Sequence, residues 1–519
     1  MFGSKLSKVF YVLVALLILV PLIALSLQSL SDSDTFLFLV RTVLDDVVFN
    51  TVLITTLTSI GVLVFGISCA WFVVRYSFFG HKAFQLLLLM PLASPAYIMA
   101  YVYTDFFDAA GVFATTLKQS GLDMVLPNVR SVGGASFILT FCLYPYVYLF
   151  ARNGFLATSQ NQMESGELLG ASRLSQFIDI VLPAARPYII VGLMLVIMEV
   201  LADYGTMDYF GIRSFSTIIY DAWAGYGDIT AAARLSLMLL GFVFLLVLAE
   251  KNQRQKMRFY ALDGSKPTRN QKLKGNILIS LWCFIPAFIG FIFPAFILLK
   301  MALEFMDFPG IEKTLPYLIN SLTVCFIVAV IGVSVAFVLN AYKRGRIDKM
   351  INVLFAFCGF GYALPGIILG LGLLLVSSLF SALNILVTGT FAFLIFGYLI
   401  RFLNVPLQSL EAGYEKISPS IDQASMLMRH RMFDDFWQVK LPLLTPSMLS
   451  AGLILAVEVI KELPLTLVLR PFDFDTLAVH TYNLASDERL AEAAFPALCI
   501  VIAGCVPILI LQHLERRSP

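Results

Sequence analysis

Twelve stretches of this chain are apolar for long enough to cross a lipid bilayer, and no other feature of its 519 residues restricts the fold as tightly. In hydrocarbon every backbone N–H and C=O needs a partner within the chain, so such segments fold as helices. They fall near residues 10–27, 50–74, 84–103, 134–150, 188–204 and 231–248, then near 277–299, 318–340, 351–376, 388–403, 446–463 and 491–511. The expected fold class is an all-α polytopic membrane protein with about twelve transmembrane helices in two homologous six-helix halves. Charged residues make up 13% of the chain against 59% hydrophobic ones, too few to surround a water-soluble globule of this size. The net charge of +2 gives no basis for a nucleic-acid partner.

The first stretch follows Lys5 and Lys8 and has the length of a signal peptide, but no A-x-A site follows it, and its removal would leave 277–299 without a counterpart. It is read as a retained helix. Residues 250–275 carry eight basic residues, among them Lys251, Arg254, Lys256 and Arg258, against Glu250 and Asp263 alone. Basic loops stay on the cytoplasmic side, which puts this linker and both termini inside. The acidic loop of Asp32, Asp34, Asp45 and Asp46 then lies outside. The chain divides into a first half at 1–249, the linker at 250–275 and a second half at 276–519.

The halves repeat one another. Asn50-Thr51 matches Asn320-Ser321 at an offset of 270 residues, and Pro95 matches Pro365 at the same offset. Past the loop after the third stretch the offset becomes 259, where Leu182-Pro183 matches Leu441-Pro442, Pro187 matches Pro446, and Glu199-Val200 matches Glu458-Val459. An even number of crossings per repeat gives the halves one orientation, related by a pseudo-two-fold axis along the membrane normal. A pathway is expected between them. Pro95 and Pro365 interrupt their helices at equivalent places and are read as packing kinks, with a gate hinge as the alternative, and Gly366, Gly370 and Gly372 allow close helix approach.

Between the fourth and fifth stretches the apolar pattern gives way to ESGELLGASRLSQFIDIVLPAARP, from Glu164 to Pro187. A short helix ending at Gly170 and a second one stopped by Leu182-Pro183 make a compact knob. Its apolar members Leu169, Leu174 and Phe177 are left to bury against the chain's own helices or a partner. Glu164 with the small residues Ser165 and Gly166, then Gly170, then Ile180-Val181-Leu182-Pro183 resembles the EAA motif of permease subunits of binding-protein-dependent ABC importers. A second copy keeps the spacing with Gln423, Ala424, Ser425 and Met428, places Arg429 where the glycine stands, and closes on Val439-Lys440-Leu441-Pro442.

That resemblance implies a type I importer permease fold in the bacterial inner membrane. It also implies coupling loops at 160–183 and 419–442 that dock two copies of a cytoplasmic ABC ATPase, and a soluble substrate-binding protein outside. The likeness covers nearly the whole chain for fused two-half ferric-iron permeases, carried by EVLADYGTMDYFG from Glu199, KELPLTLVLRPFDFDTLAV from Lys461 and LASDERLAEAAFPAL from Leu484. It implies ferric iron as cargo. Permeases for thiamine, phosphonate, polyamine and sulfate share the loop and stay as alternatives. No GxxxxGK[ST] phosphate loop occurs, so the chain is expected not to be an enzyme and to bind no cofactor itself, with ATP and Mg²⁺ used by the partner.

Glu199 and Asp203 stand four residues apart at the end of the fifth stretch, as do Glu458 and Glu462 at the end of the eleventh. Such a spacing places both on one helix face. A charge at bilayer depth costs roughly 2.5 to 3.5 kcal/mol on insertion scales, so the four are expected to face each other and line the substrate pathway. Tyr204 and Tyr209 would add oxygen donors for a hard cation. The competing reading pairs Glu458 and Glu462 with Lys461 or Arg401 as a structural device. No permanent metal site is expected, since transport needs a site that releases its cargo, and the seven cysteines and four histidines show no ligand spacing. A gradient-driven transporter is the rival class, faintly echoed by Lys343-Arg344-Gly345-Arg346; nothing resembles a channel filter.

Overall fold

In the computed structural model the described residues are 4–108, 111–120, 128–157, 170, 172–261, 273–305, 308–344, 349–381, 387–415, 417, 418, 420, 421 and 439–517. The first half is built on α1 (Ser4–Gln28), α2 (Leu44–Arg75), α3 (Ala96–Phe107), α4 (Val132–Ala157), α5 (Leu182–Ala202), α6 (Gly205–Tyr209), α7 (Phe215–Tyr220) and α8 (Ile229–Ala261). The second follows with α9 (Ile277–Ala287), α10 (Phe293–Phe305), α11 (Phe308–Lys343), α12 (Gly366–Ser381), α13 (Phe391–Phe402), α14 (Asn404–Glu415), α15 (Leu441–Ile460), α16 (Pro464–Leu469), α17 (Leu477–Ser486) and α18 (Leu490–Arg517). A two-residue parallel bridge joins Tyr76–Ser77 to Leu273–Lys274.

Among the described residues nine helices are long and apolar enough to cross a bilayer, and three bent pairs bring the number to twelve if each is one span. Each coincides with one of the twelve apolar stretches. The third and ninth are not straight, however. The chain turns by 93° between His81–Ala93 and α3, and by 109° between Met350–Ala363 and Gly366–Phe380. Pro95 and Pro365 sit at these corners. Proline excludes helical backbone from the residue before it, and Ser94 and Leu364 are accordingly extended, at ψ 113° and 127°. The prolines interrupt their helices as expected, and they do so by a full corner, sharper than a packing kink within one helix.

The repeat is built with matching joints. Asn50 Nδ2 donates to the Arg213 carbonyl at 3.1 Å, and Asn320 Nδ2 to the Asp475 carbonyl at 3.0 Å. Beside them Thr51 Oγ1 accepts the N–H of Phe215 at 3.4 Å, and Ser321 Oγ that of Leu477 at 2.7 Å. Each pair thus satisfies an orphan N–H at the start of α7 or α17.

Each half also lends its first helix to the other. α1 lies on α12 and on the helix Lys349–Cys358, with the Tyr11 hydroxyl donating to the Leu339 carbonyl. α9 and the π turn after it lie on the first half, where Tyr103 donates to the Ile289 carbonyl at 2.7 Å and Trp282 Nε1 to Ser68 Oγ at 2.8 Å. The largest apolar core accordingly runs through both halves, from Ile18 and Leu235 to Leu369, Leu465 and Ile500.

A methyl at Gly372 would meet the Pro21 carbonyl oxygen at 2.7 Å, so Gly372→Leu is expected to push α1 off α12. The loss should be about 1 to 3 kcal/mol, read as a lower melting temperature in detergent. Gly241→Ala, whose added Cβ meets nothing within 4 Å, should not lower it.

Candidate functional site

Four helix breaks meet between the halves. α3 begins after Pro95, α12 after Pro365, α6 after Asp203-Tyr204 and α16 after Glu462-Leu463. They line a cavity of about 120 Å³. Glu199, Asp203, Tyr204, Glu458 and Glu462 all line it. Tyr209 does not; its ring lies under the Arg130 guanidinium at 5.1 Å.

The expectation that each acidic pair shares one helix face is corrected by the chain path. α5 ends at Ala202 and α15 at Ile460, so Asp203 and Glu462 stand beyond the helix ends. Each turns to cap the helix that follows. Asp203 accepts the Thr206 N–H at 3.0 Å and the Thr206 hydroxyl at 3.1 Å, and Glu462 accepts the Leu465 N–H at 3.0 Å. A carboxylate there meets unpaired N–H groups and the positive end of the helix dipole, worth up to ~2 kcal/mol when partly buried.

The carbonyls freed by the breaks are satisfied as well. Ser216 Oγ donates to the Asp203 carbonyl at 2.5 Å, Thr466 Oγ1 to that of Glu462 at 2.9 Å, and Arg401 Nη1 to that of Leu364 at 2.9 Å. Hydrocarbon offers no water to replace these donors, so they permit irregular backbone inside a membrane span.

The two halves differ in charge at this cavity. In the second, Arg401 pairs with Glu462 at 3.1 Å and Lys461 with Glu458 at 3.1 Å. In the first, the positions 259 residues earlier are Cys142 and Ala202, which also line the cavity but carry no charge. Among the described residues Glu199 has no basic partner within 4 Å; it accepts the Tyr362 hydroxyl at 3.2 Å. Four carboxylates therefore face two cations, leaving the fully ionised cavity two charges negative. Tyr97, Tyr146 and Tyr362 on the wall escaped the sequence reading. The available signal was a tyrosine within three residues of each repeated proline, Tyr97 after Pro95 and Tyr362 before Pro365.

At the loop before α5, Gly170 is exposed with φ +80°, a backbone region that glycine adopts without steric cost. Glu164, Ser165, Gly166, Leu169, Gln423, Ala424, Ser425, Met428 and Arg429 lie outside the described residues. Leu182-Pro183 does not stop a helix, contrary to expectation. A π turn at Gln176–Val181 runs on into α5 as one span, and Pro183 occupies the first turn of α5, where its missing N–H matters least. Phe177 packs on Trp71, with ring centroids 4.9 Å apart, while Leu174 stays 67% exposed. Lys343 and Arg344 serve packing: Lys343 pairs with Glu411 at 2.7 Å, and Arg344 Nη2 donates to the Ile417 carbonyl at 2.7 Å.

Residues 62–259 match the family described as binding-protein-dependent transport system inner membrane component. The matched stretch runs from within α2 into α8 and carries Glu199, Asp203 and Tyr204. Over 483 residues the chain is 24% identical to the Fe(3+)-transport system permease protein FbpB 2 of Haemophilus influenzae, covering 89% of this chain and 88% of that one. It is 22% identical to the ferric transport system permease protein FbpB of Actinobacillus pleuropneumoniae, covering 96% and 76%. The sulfate transport system permease protein CysW of Escherichia coli is 26% identical over 228 residues, 42% of this chain and 74% of that one.

Arg401→Leu strands the Glu462 carboxylate and the Leu364 carbonyl, with an expected loss of about 3 to 5 kcal/mol in detergent unfolding. Adding Glu462→Leu removes the stranded carboxylate and should restore part of it, while the Leu364 carbonyl and the Leu465 N–H stay without these partners. Gly366→Ala, whose methyl would meet Glu462 Oε1 at 2.5 Å and Arg401 Nη1 at 2.8 Å, should destabilise in the same direction but less.

Proposed function

We propose that this chain is the membrane-spanning permease subunit of an ATP-driven importer, with both permease halves fused, and that its cargo is ferric iron delivered by a soluble binding protein. The observation that carries the cation reading is the cavity between the halves, with four carboxylates against two cations. A sulfate or phosphonate would meet net repulsion there, whereas a hard trivalent ion meets attraction and oxygen donors. Likeness to ferric permeases over nearly the full length supports iron among cations.

In this reading the linker at 250–275 and both termini are cytoplasmic in a bacterial inner membrane, and two ATPase copies dock at 160–183 and 419–442. ATP and Mg²⁺ act on those partners. The exposed apolar side chains of Leu174 and Ile178, close to Gly170, support a partner surface at the first loop. The span Gln176–Ala202 runs unbroken from that loop to the cavity, so it is the lever by which a moving ATPase reaches Glu199. ATP binding draws the loops together and rocks the halves apart on the far side; hydrolysis reverses the motion. Lys461 and Arg401 compete with the cargo for carboxylates, which keeps the site weak enough to release it.

The test is uptake of radiolabelled ferric iron by iron-starved cells lacking other iron importers. Uptake should vanish without the gene and fall several-fold in Glu199→Gln at normal membrane levels. Unchanged uptake without the gene would remove iron as the cargo and leave the permease role standing. Gly170→Glu should abolish transport while the protein still reaches the membrane, and an ATPase subunit should copurify with the wild type; its absence would favour a gradient-driven transporter.

A further inference from the structure

A second group of oxygen donors lies beside the cavity, and apart from Tyr204 the roles above do not use it. Asp208 of α6 and Tyr482 of α17 join the two halves there. The Tyr482 hydroxyl donates to Asp208 Oδ2 and lies 3.5 Å from the Tyr204 hydroxyl. Tyr204 belongs to the cavity wall as well, so the two places are continuous. Among the described residues Asp208 forms no ion pair within 4 Å. One further phenol, that of Tyr101, lies near this group. Tyr101 is 4% exposed, its ring is 5.7 Å from that of Tyr97 on the cavity wall, and among the described residues its hydroxyl has no hydrogen-bond partner. Tyr101 lies within electrostatic reach of both Asp208 and Tyr482.

A buried hydroxyl left unsatisfied is costly, and one beside a carboxylate that forms no ion pair calls for a guest that accepts oxygen lone pairs. We propose that Asp208, Tyr482, Tyr204 and Tyr101 form a transit site that takes a trivalent cation on its way to the cavity and selects it by charge. The proposal rests on the ferric-iron reading and names the residues that set its specificity. The group contains neither histidine nor cysteine, so softer ions gain nothing from it. A free phenol titrates near pH 10 and keeps its proton beside a weakly polarising ion; a bound trivalent ion displaces it. Each phenol that ligates exchanges its O–H bond for an Fe–O bond and releases one proton to external water. Iron stays ferric and no electron moves.

The probe is ferric nitrilotriacetate, added to the purified full-length chain in complex with its ATPase partner. The expected result is a visible phenolate-to-iron charge-transfer absorption whose apparent affinity drops about tenfold or more in Tyr482→Phe and in Asp208→Asn. Tyr226→Phe, at an exposed tyrosine, should leave it unchanged. Asp208→Asn keeps the shape of the side chain and covers the case in which the phenylalanine variant fails to fold. Survival of the full absorption in a Tyr482→Phe, Tyr204→Phe double variant overturns the proposal, as does its absence from a wild type that imports iron. Normal iron uptake by a folded Tyr482→Phe variant sinks the transit site alone, whereas unchanged uptake in cells without the gene sinks the ferric reading and the site with it.

Discussion

A helix that breaks inside a membrane must satisfy its loose backbone groups from within the protein, and the centre of this molecule is organised by that requirement. Arg401 shows it most fully. Its guanidinium donates to the Leu364 carbonyl at one break and pairs with the Glu462 carboxylate at another, while Glu462 caps the helix beyond. Three chain ends are thereby held by one side chain. Ser216, Thr206 and Asp203 do the same work in the first half with neutral donors and one acid. The breaks and the polar groups that hold them define the cavity, because a wall of intact helices would leave no place for charge.

The repeat gives the cavity two unlike walls. Among the described residues Glu199 and Asp203 in the first half have no basic side chain within 4 Å, while Glu458 and Glu462 face Lys461 and Arg401. An exact duplicate would have been either doubly acidic or fully neutralised. Divergence at two positions, Cys142 against Arg401 and Ala202 against Lys461, sets an intermediate field and moves the unpaired charge to one side of the pseudo-axis.

The crossings were legible because length and apolarity decide them, and the duplication was legible because joints such as Asn50-Thr51 and Asn320-Ser321 keep their residues. The membership of the cavity was also legible: four acids at symmetric positions had nowhere else to go. Their local geometry was not. The spacing of Glu199 and Asp203 suggests one helix face, but the helix ends between them, since a carboxylate placed just beyond a terminus gains more by capping the next helix than by prolonging the first. Pro95 and Pro365 carried the same ambiguity. A proline announces a disturbance, and neighbouring packing decides whether the chain bends slightly or turns a corner. The tyrosines on the wall were hidden for a further reason, being indistinguishable in composition from the many aromatic residues that face lipid.

The exchange of first helices has a consequence for how the protein is made. α1 leaves the ribosome early, yet its main packing surface, α12 and the helix before it, is synthesised more than three hundred residues later. At ordinary translation rates of 5–20 residues per second that is a wait of roughly 20 to 70 s in the bilayer. The first half therefore inserts with one helix unmatched and one groove open, and the groove is filled only when α9 arrives. The nascent first half is an incomplete object for most of synthesis, dependent on lipid or an insertion factor to cover its seams. Fusion in one chain makes the completing partner certain to appear beside it.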